Sequence, residues 1–556
     1  MYLLHQHRDF VCDILNIFRI NKLAWGLFSF YPLEIIFSQD PSMVSTKSGY
    51  TPIQKWTLLS TILASSLVFI DSTALNVALP ALQVELGITG TELLWVINGY
   101  ALFLSSLLLV GGSLGDLYGR NKVFLIGLGV FSISSLICGF SQTPVQLIIA
   151  RAFQGIGGAL LTPGSLSILS SQFGAEHRGK AIGLWSTFSA LTAIFGPVLG
   201  GWLAGIGLWR VIFFINFPLS ILVFITVMTK VPESKNPDAM KLDIWGAALV
   251  TLGLAGITFG FIEAPKYGFG NPQIIFSLCM GGLALTGFIF VQSHSTHPMM
   301  PLNLFKSSTF SGGNLLTLFV YAALGGAMFF LPLNLIQVQG YSELKAGLAM
   351  LPIIISIAGI SPFAGRFADR KGVRLPLIIG PLITSTGFYL FSTYGLTPGP
   401  GAYWNTFFLS FLLLGIGMGI TVAPLTTAVM GAISEDNSGI ASGINNTVAR
   451  AAGVLAIALL GAVVLLYFKK SIENEISVMD ISPGMRNEIM FESSKFAAAE
   501  VPDGLSDANK VLVQRHLNNS FIGAFNRVVY IASLLCLLGS VMAYIFIKGR
   551  KPDLES

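Results

Sequence analysis

The stretch Gly112-Ser-Leu-Gly-Asp116-Leu-Tyr-Gly119-Arg120-Asn-Lys122 decides the fold of this chain. It is a short charged corner between two apolar runs, Trp95 to Leu114 and Val123 to Phe140. Each run is long enough to cross a bilayer as a helix, which takes about 20 apolar residues. A sharp turn between two such helices gives the glycines at 112, 115 and 119 a conformational reason to be there. Asp116 stands at the end of one run, with Arg120 and Lys122 just ahead of the next. Gly365-Arg-Phe-Ala-Asp369-Arg-Lys-Gly372-Val-Arg374 repeats the Gly, Asp and Gly at the same offsets, again between two long apolar runs. Two copies at corresponding corners are what an internally duplicated membrane transporter would carry.

Composition agrees. The 556 residues are 53% hydrophobic and 11% charged, with a mean hydropathy of +0.73. Soluble chains average about 25% charged residues, so the fold class is all-α integral membrane protein. The formal charge of +5 implies no nucleic-acid partner, because the basic residues gather in short loops, as membrane topology requires. Cys12, Cys138, Cys279 and Cys536 have no metal-ligand spacing, and three lie inside apolar runs as small packing residues. Fourteen spans are expected: six between about 57 and 229, two between 243 and 292, and six between 311 and 547. Arg120, Lys122, Arg178, Lys180, Lys230, Lys235, Lys241, Lys306 and the cluster Arg366 to Arg374 fall in one set of short loops. The opposite set holds little beyond Arg210, Lys266 and Lys345. Both termini are therefore expected in the cytoplasm of a cell with a multi-pass inner-membrane protein.

The equivalent corners divide the chain into an N-terminal segment 1–55, a six-helix bundle 56–230, an inserted helix pair 231–300 and a second six-helix bundle 301–556. A long polar stretch, 469–520, is expected as an external loop apart from the transport path. Residues 1–42 contain one short apolar piece, Leu23 to Phe37, broken by Pro32, which is neither a good signal peptide nor a good span. Met43 is a natural alternative start, so the expectation for these residues is either an over-extended reading frame or an interfacial segment.

The corner pattern resembles the loop between helices two and three of the major facilitator superfamily. In that family the loop is cytoplasmic and its Asp helps lock the two halves together. The resemblance gives Gly112, Asp116, Gly119, Arg120 and, in the second copy, Asp369 the part of a conformational gate. Further residues resemble the fourteen-helix drug:proton antiporter branch: Leu67-Val-Phe-Ile-Asp71-Ser-Thr73-Ala-Leu-Asn76 in the first helix, Trp209-Arg210 with Asn216-Phe-Pro218 at the start of helix 6, and Tyr341 to Pro352 at the junction of helices 9 and 10. The resemblance covers about residues 55 to 547 and is specific to the branch, not to a substrate. Gly196-Pro197-Val-Leu-Gly200-Gly201 resembles its antiporter motif, although Thr192 stands where the family has Gly. From the residues alone, Gly196 and Gly200 permit close helix approach and Pro197 should bend its helix.

Arg151, Gln154, Gly155 and Gly158 share one face of helix 4. An intramembrane arginine usually faces protein or water, though Arg151 is only about two turns from the outer end and could snorkel. The resemblance ties Arg151 to proton handling. Asp71 is the sole acid placed well inside a span, since Glu263 sits at an outer end, and it is the candidate proton-coupling carboxylate. At about 100° per residue, Ser65, Ser72 and Asn76 form one stripe and Asp71 points off it. Either helix 1 is buried on both sides or Asp71 bonds a neighbouring helix. Arg450, within Asn445-Asn446-Thr447-Val-Ala-Arg450, matches a basic residue near the start of the family's helix 13 and is the second-half gate candidate.

Gly174-Ala-Glu-His-Arg-Gly179-Lys180 imitates a phosphate-binding loop, but Ala181 occupies the Ser/Thr slot and an apolar span precedes it. An ion gradient, not ATP, is the expected energy source. His5, His7, His177, His294, His297 and His516 all lie outside the spans, so neither a metal nor another cofactor is expected, and no catalytic residues. The expected function is proton-coupled efflux of amphipathic compounds, cationic or neutral, by alternating access in a monomer, with or without a periplasmic adaptor. A dedicated exporter of one metabolite, lipid-like molecule or siderophore is the alternative, and a non-transporting membrane sensor or scaffold is the alternative of another class.

Overall fold

Helix follows helix because the loop residues between apolar runs are good caps. Thr89 and Glu92 form a reciprocal capping box, Thr143 caps a helix that starts with Pro144, and Asn271 does the same before Pro272. Ser307, Ser342 and Ser506 cap three later helices. A computed structural model describes residues 50–236, 242–434 and 438–548, except for the side chains at 175, 176, 190, 193, 194 and 438. The expectations for residues 1–42 therefore lie outside the described residues.

Among the described residues, fourteen long helices run from Pro52 onward, a stretch that forms one unit. They are α1 (Pro52–Leu86), α2 (Gly90–Tyr118), α3 (Arg120–Phe140), α4 (Pro144–Gln172), α5 (Ala175–Gly205), α6 (Val211–Lys230) and α7 (Ile244–Tyr267). Then come α8 (Pro272–His294), α9 (Ser308–Val338), α10 (Glu343–Lys371), α11 (Arg374–Thr393), α12 (Phe407–Gly431), α13 (Ser438–Ser477) and α14 (Asp507–Phe546). All but α5 are both long and apolar enough to cross a membrane, and α5 has 31 residues. No strand is present among the described residues.

Helices α1 to α6 pack chiefly on one another, α4 against α2 and α3, and α1 against α5 and α6. Helices α9 to α14 repeat this, with α12 against α10 and α11, and α14 against α9 and α11. The two groups meet along α2 with α13, α5 with α10, and α1 with α9. Helices α7 and α8 pack on each other, and α7 lies on the seam between α2 and α13. Cys138 and Cys536 are buried packing residues, whereas Cys279 is exposed.

Two expectations need correction. The charged corner is a single residue, because α2 continues through Gly112, Gly115 and Asp116 to Tyr118 and α3 starts at Arg120. Only Gly119, at φ 113°, has the conformation that requires glycine; a Cβ at Gly112 or Gly115 would make ordinary contacts, 3.6 Å and 3.8 Å away. The second copy behaves alike, with Gly372 at φ 94° and Gly365 helical.

Residues 469–520 are not a loop. Helix α13 runs on to Ser477, a short helix spans Pro483–Glu492, and α14 begins at Asp507. The apolar stripes persist at helical spacing beyond the polar boundary, through Ile472 and Ile476 on one helix and Val513 and Leu517 on the other, and all four are buried. Nor does the segment stand apart. Gln83 donates to the Lys495 carbonyl at 2.7 Å, and Phe496 is buried among Phe330, Phe468 and Phe521. Gln83 belongs to α1 and Phe330 to α9, so this plug caps both groups of helices at the end away from the basic corners.

Candidate functional site

Halfway along α1, Asp71 points away from the polar stripe and into the first helix group. It is 0% exposed and accepts three hydrogen bonds: 2.6 Å from Arg151 Nη1, 2.8 Å from Gln154 Nε2 and 3.3 Å from Asn216 Nδ2. The second of the two sequence alternatives therefore holds, with bonds to both α4 and α6. Arg151 is 1% exposed and donates also to Gln154 Oε1 at 2.7 Å, so it does not snorkel. Its guanidinium lies 4.2 Å from the Tyr100 ring centre on α2, a cation–π contact in a dry setting. Asn216 is held in turn by Ser135, 3.0 Å away. A buried ion pair survives desolvation only when further hydrogen bonds satisfy it, and here Gln154 and Asn216 do so. Glycine on the α4 face makes this possible, because a Cβ at Gly155 would strike the Tyr100 carbonyl.

The polar stripe beside the pair divides. Ser65 is a tie, bonded to Ser165 on α4 and to Trp185 on α5 at 3.0 Å each. Ser72, Thr73 and Asn76 are half-buried, on the face that α1 turns away from Asp71. In the second helix group Asn445 on α13 reaches Thr317 at 2.7 Å and Asn314 at 3.2 Å on α9. Arg450, five residues along α13, is half-buried.

The antiporter-motif residues make contacts on two sides. Gly196 and Gly200 face Thr73 and Ala74 of α1, and a Cβ at either would collide with them. Gly201 faces the Glu343 backbone and Gly347 faces the Pro197 carbonyl, so α5 and the first turns of α10 also meet backbone to backbone. Helix α5 runs through Pro197 without interruption. Gln337 of α9 donates to Gln83 of α1 at 3.1 Å near this same end. Trp209 and Arg210 clamp Glu85 there, Arg210 at 3.0 Å, while Arg210 also caps the α3 terminus through the Gly139 and Ser141 carbonyls.

At the basic end, Asp116 pairs with Arg120 at 2.8 Å and has no partner on α13 among the described residues. The first turn of α3 is instead capped by Glu233, whose carboxylate accepts from the Asn121 and Lys122 backbone N–H groups at 2.9 and 3.1 Å. The strap that carries it, from Val231 to Asn236, also bonds Arg120 N and the Asp116 carbonyl. Sequence reasoning missed Glu233; its signal was an acid three residues past the end of a span, in a loop with Lys235 and Lys241, placed to meet a helix N-terminus. Asp369 is exposed and forms no ion pair among the described residues. No group of residues able to hold a metal occurs among the described residues.

A duplicated helical bundle with a closed end and a buried charge pair at mid-depth defines a membrane transporter. The family model of the Major Facilitator Superfamily matches residues 61–457, and the chain belongs to that family. It is 32% identical to a cephamycin export protein of Amycolatopsis lactamdurans, over 75% of this chain and 87% of the relative. It is 28% identical to a tetracenomycin C resistance and export protein of Streptomyces glaucescens (89% and 92% covered), and 29% to the multidrug resistance protein Stp of Mycobacterium tuberculosis (79% and 82%). Its fold resembles the crystal structure of a bacterial homologue of the human lysosomal transporter Spinster, with a TM-score of 0.62 at 16% identity, covering 91% of this chain and all of the other.

Proposed function

We propose that this transporter is an exporter that exchanges protons for amphipathic compounds across the cytoplasmic membrane by alternating access. The observation that carries the reading is the fully buried Asp71–Arg151 pair, 2.6 Å apart, beside the half-buried face of α1. A carboxylate and a guanidinium inside the bilayer are costly and are kept where charge must move. In this reading the basic corners are cytoplasmic and the plugged end is external, so the conformation described is closed to the outside. Asp71 takes up a proton when the pair opens from the outer side and gives it up inside when Arg151 returns. The gate residues act at the two ends: Gly196, Pro197, Gly200 and Gly201 with α10 outside, and Gly112, Asp116, Gly119, Arg120 and Asp369 at the basic corners. The protein works as a monomer on this view. Purified protein in liposomes should move substrate when a pH gradient is imposed and acidify or alkalinise the lumen as it does so. Substrate flux that ignores the gradient would remove proton coupling from the reading.

A narrower reading, a dedicated exporter of one compound, is favoured by the names of two relatives, which concern cephamycin and tetracenomycin C. Growth inhibition across a panel of unrelated toxic compounds, with and without overexpression, separates the two: protection against one chemical class supports dedication.

A further inference from the structure

Arg450 is a charge without a counter-charge. Helices α2 and α13 run antiparallel, with Leu94 beside Gly461 and Leu109 beside Gly443. That register sets Arg450 between them in depth, close to the level of Tyr100 and hence of the Asp71–Arg151 pair. Helices α9 and α13 run side by side with Thr317 at Asn445 and Gly325 at Gly453, which sets Tyr321 level with Arg450 as well, and no carboxylate lies within ion-pair distance of the Arg450 guanidinium among the described residues. Asp71 is committed to Arg151, and Glu263 on α7, which lies over this seam, is held by Trp95 Nε1 at 2.8 Å. The Arg450 guanidinium makes no ion pair or hydrogen bond among the described residues. Arginine does not lose its proton in a protein, so it cannot escape the cost of sitting in the bilayer by becoming neutral. It is half-buried, and Asn446, one turn away, is exposed. The Tyr100 hydroxyl, on a residue 3% exposed, has no hydrogen-bond partner either.

We infer that Arg450, with the Tyr100 and Tyr321 hydroxyls, is the binding site for the acidic group of an amphipathic organic anion, a carboxylate or phenolate on an apolar body. The sum of charges at this depth is one negative and two positive, so an anionic guest neutralises the site and a cationic one worsens it. The charge read from the structure thus departs from the cationic or neutral substrates suggested by the sequence. The inference deepens the export reading and rests on it only for the transport steps after binding.

The test uses purified full-length protein in detergent and three matched probes: 1-pyrenebutyrate, its methyl ester and 1-pyrenebutylamine. Binding is read by energy transfer from the tryptophans. The acid should bind at least about tenfold more tightly than the amine, the fold-change expected of one charge-assisted hydrogen bond. Arg450→Gln should erase that preference and Arg450→Lys should keep part of it. Equal binding of acid and amine to the unaltered protein, which needs no variant to fold, overturns the inference. So does an acid preference that survives Arg450→Gln. Acid preference without proton-driven flux in liposomes sinks the export reading and leaves this one standing; flux without acid preference does the reverse.

Discussion

Asp71 has no exposed surface and three donors, so its replacement leaves Arg151 as a buried cation with weakened partners. Breaking a buried pair from one side costs about 3–5 kcal/mol. Asp71→Asn should therefore lower the unfolding temperature of the purified protein, and adding Arg151→Gln should restore part of the loss. If the double variant is as unstable as the sum of the singles, the two residues are not energetically a pair. The glycines of the basic corner make a second comparison. Gly119→Ala forces a side chain into a conformation that costs about 1–3 kcal/mol, whereas Gly112→Ala and Gly115→Ala sit in a helix and meet only ordinary contacts. Thermal melting should separate the first from the other two; similar losses at all three would return the corner to an extended loop. Asp71, Arg151 and the corner were legible because a charge in an apolar run is conspicuous. What holds the pair was legible only in part: Gln154 shares the Arg151 face of one helix, whereas the pair's meeting with Asn216 and Ser135 from two other helices is written in no single stretch.

At the scale of elements, glycine spacing on α5 announced close packing but not with what. Gly196 and Gly200 face α1 in the same bundle, while Gly201 and Pro197 face α10 across the molecule. A single sequence shows that a face is smooth, not which neighbour lies on it. The contact between Gly347 and the Pro197 carbonyl leaves no room for a side chain. Gly347→Ala should push α10 away from α5 and open the plugged end. A cysteine at Asn76, half-buried on α1, should then react faster with an impermeant maleimide added outside. Unchanged reactivity would mean that this contact does not hold the end shut. The same limit applies to 469–520: its polar composition is real, but buried positions recur only every third or fourth residue, so the average hides the stripes that make it helical.

For the whole molecule, the fourteen helices and their duplication were legible from hydropathy and two matching corners, whereas the plug was not, because it is made by contacts between residues up to 412 positions apart. The orientation proposed above can be checked at the plug. Ser494 is exposed at the plugged end, so Ser494→Cys in a Cys279→Ser background should be labelled by an impermeant maleimide on intact cells. Labelling only after permeabilisation would turn the protein over. The helix pair α7–α8 makes the molecule lopsided in a way its duplication would not. Of the two long seams between the helix groups, α2 with α13 is covered by α7, and α5 with α10 is bare among the described residues. Phe195 on α5 and Ile355 and Phe363 on α10 are exposed apolar side chains. Facing hydrocarbon, they are at no disadvantage there. If α5 and α10 part during transport, the seam would open to the lipid on that side alone, and compounds that partition into the bilayer would then reach the interior at a concentration their level in water does not reveal.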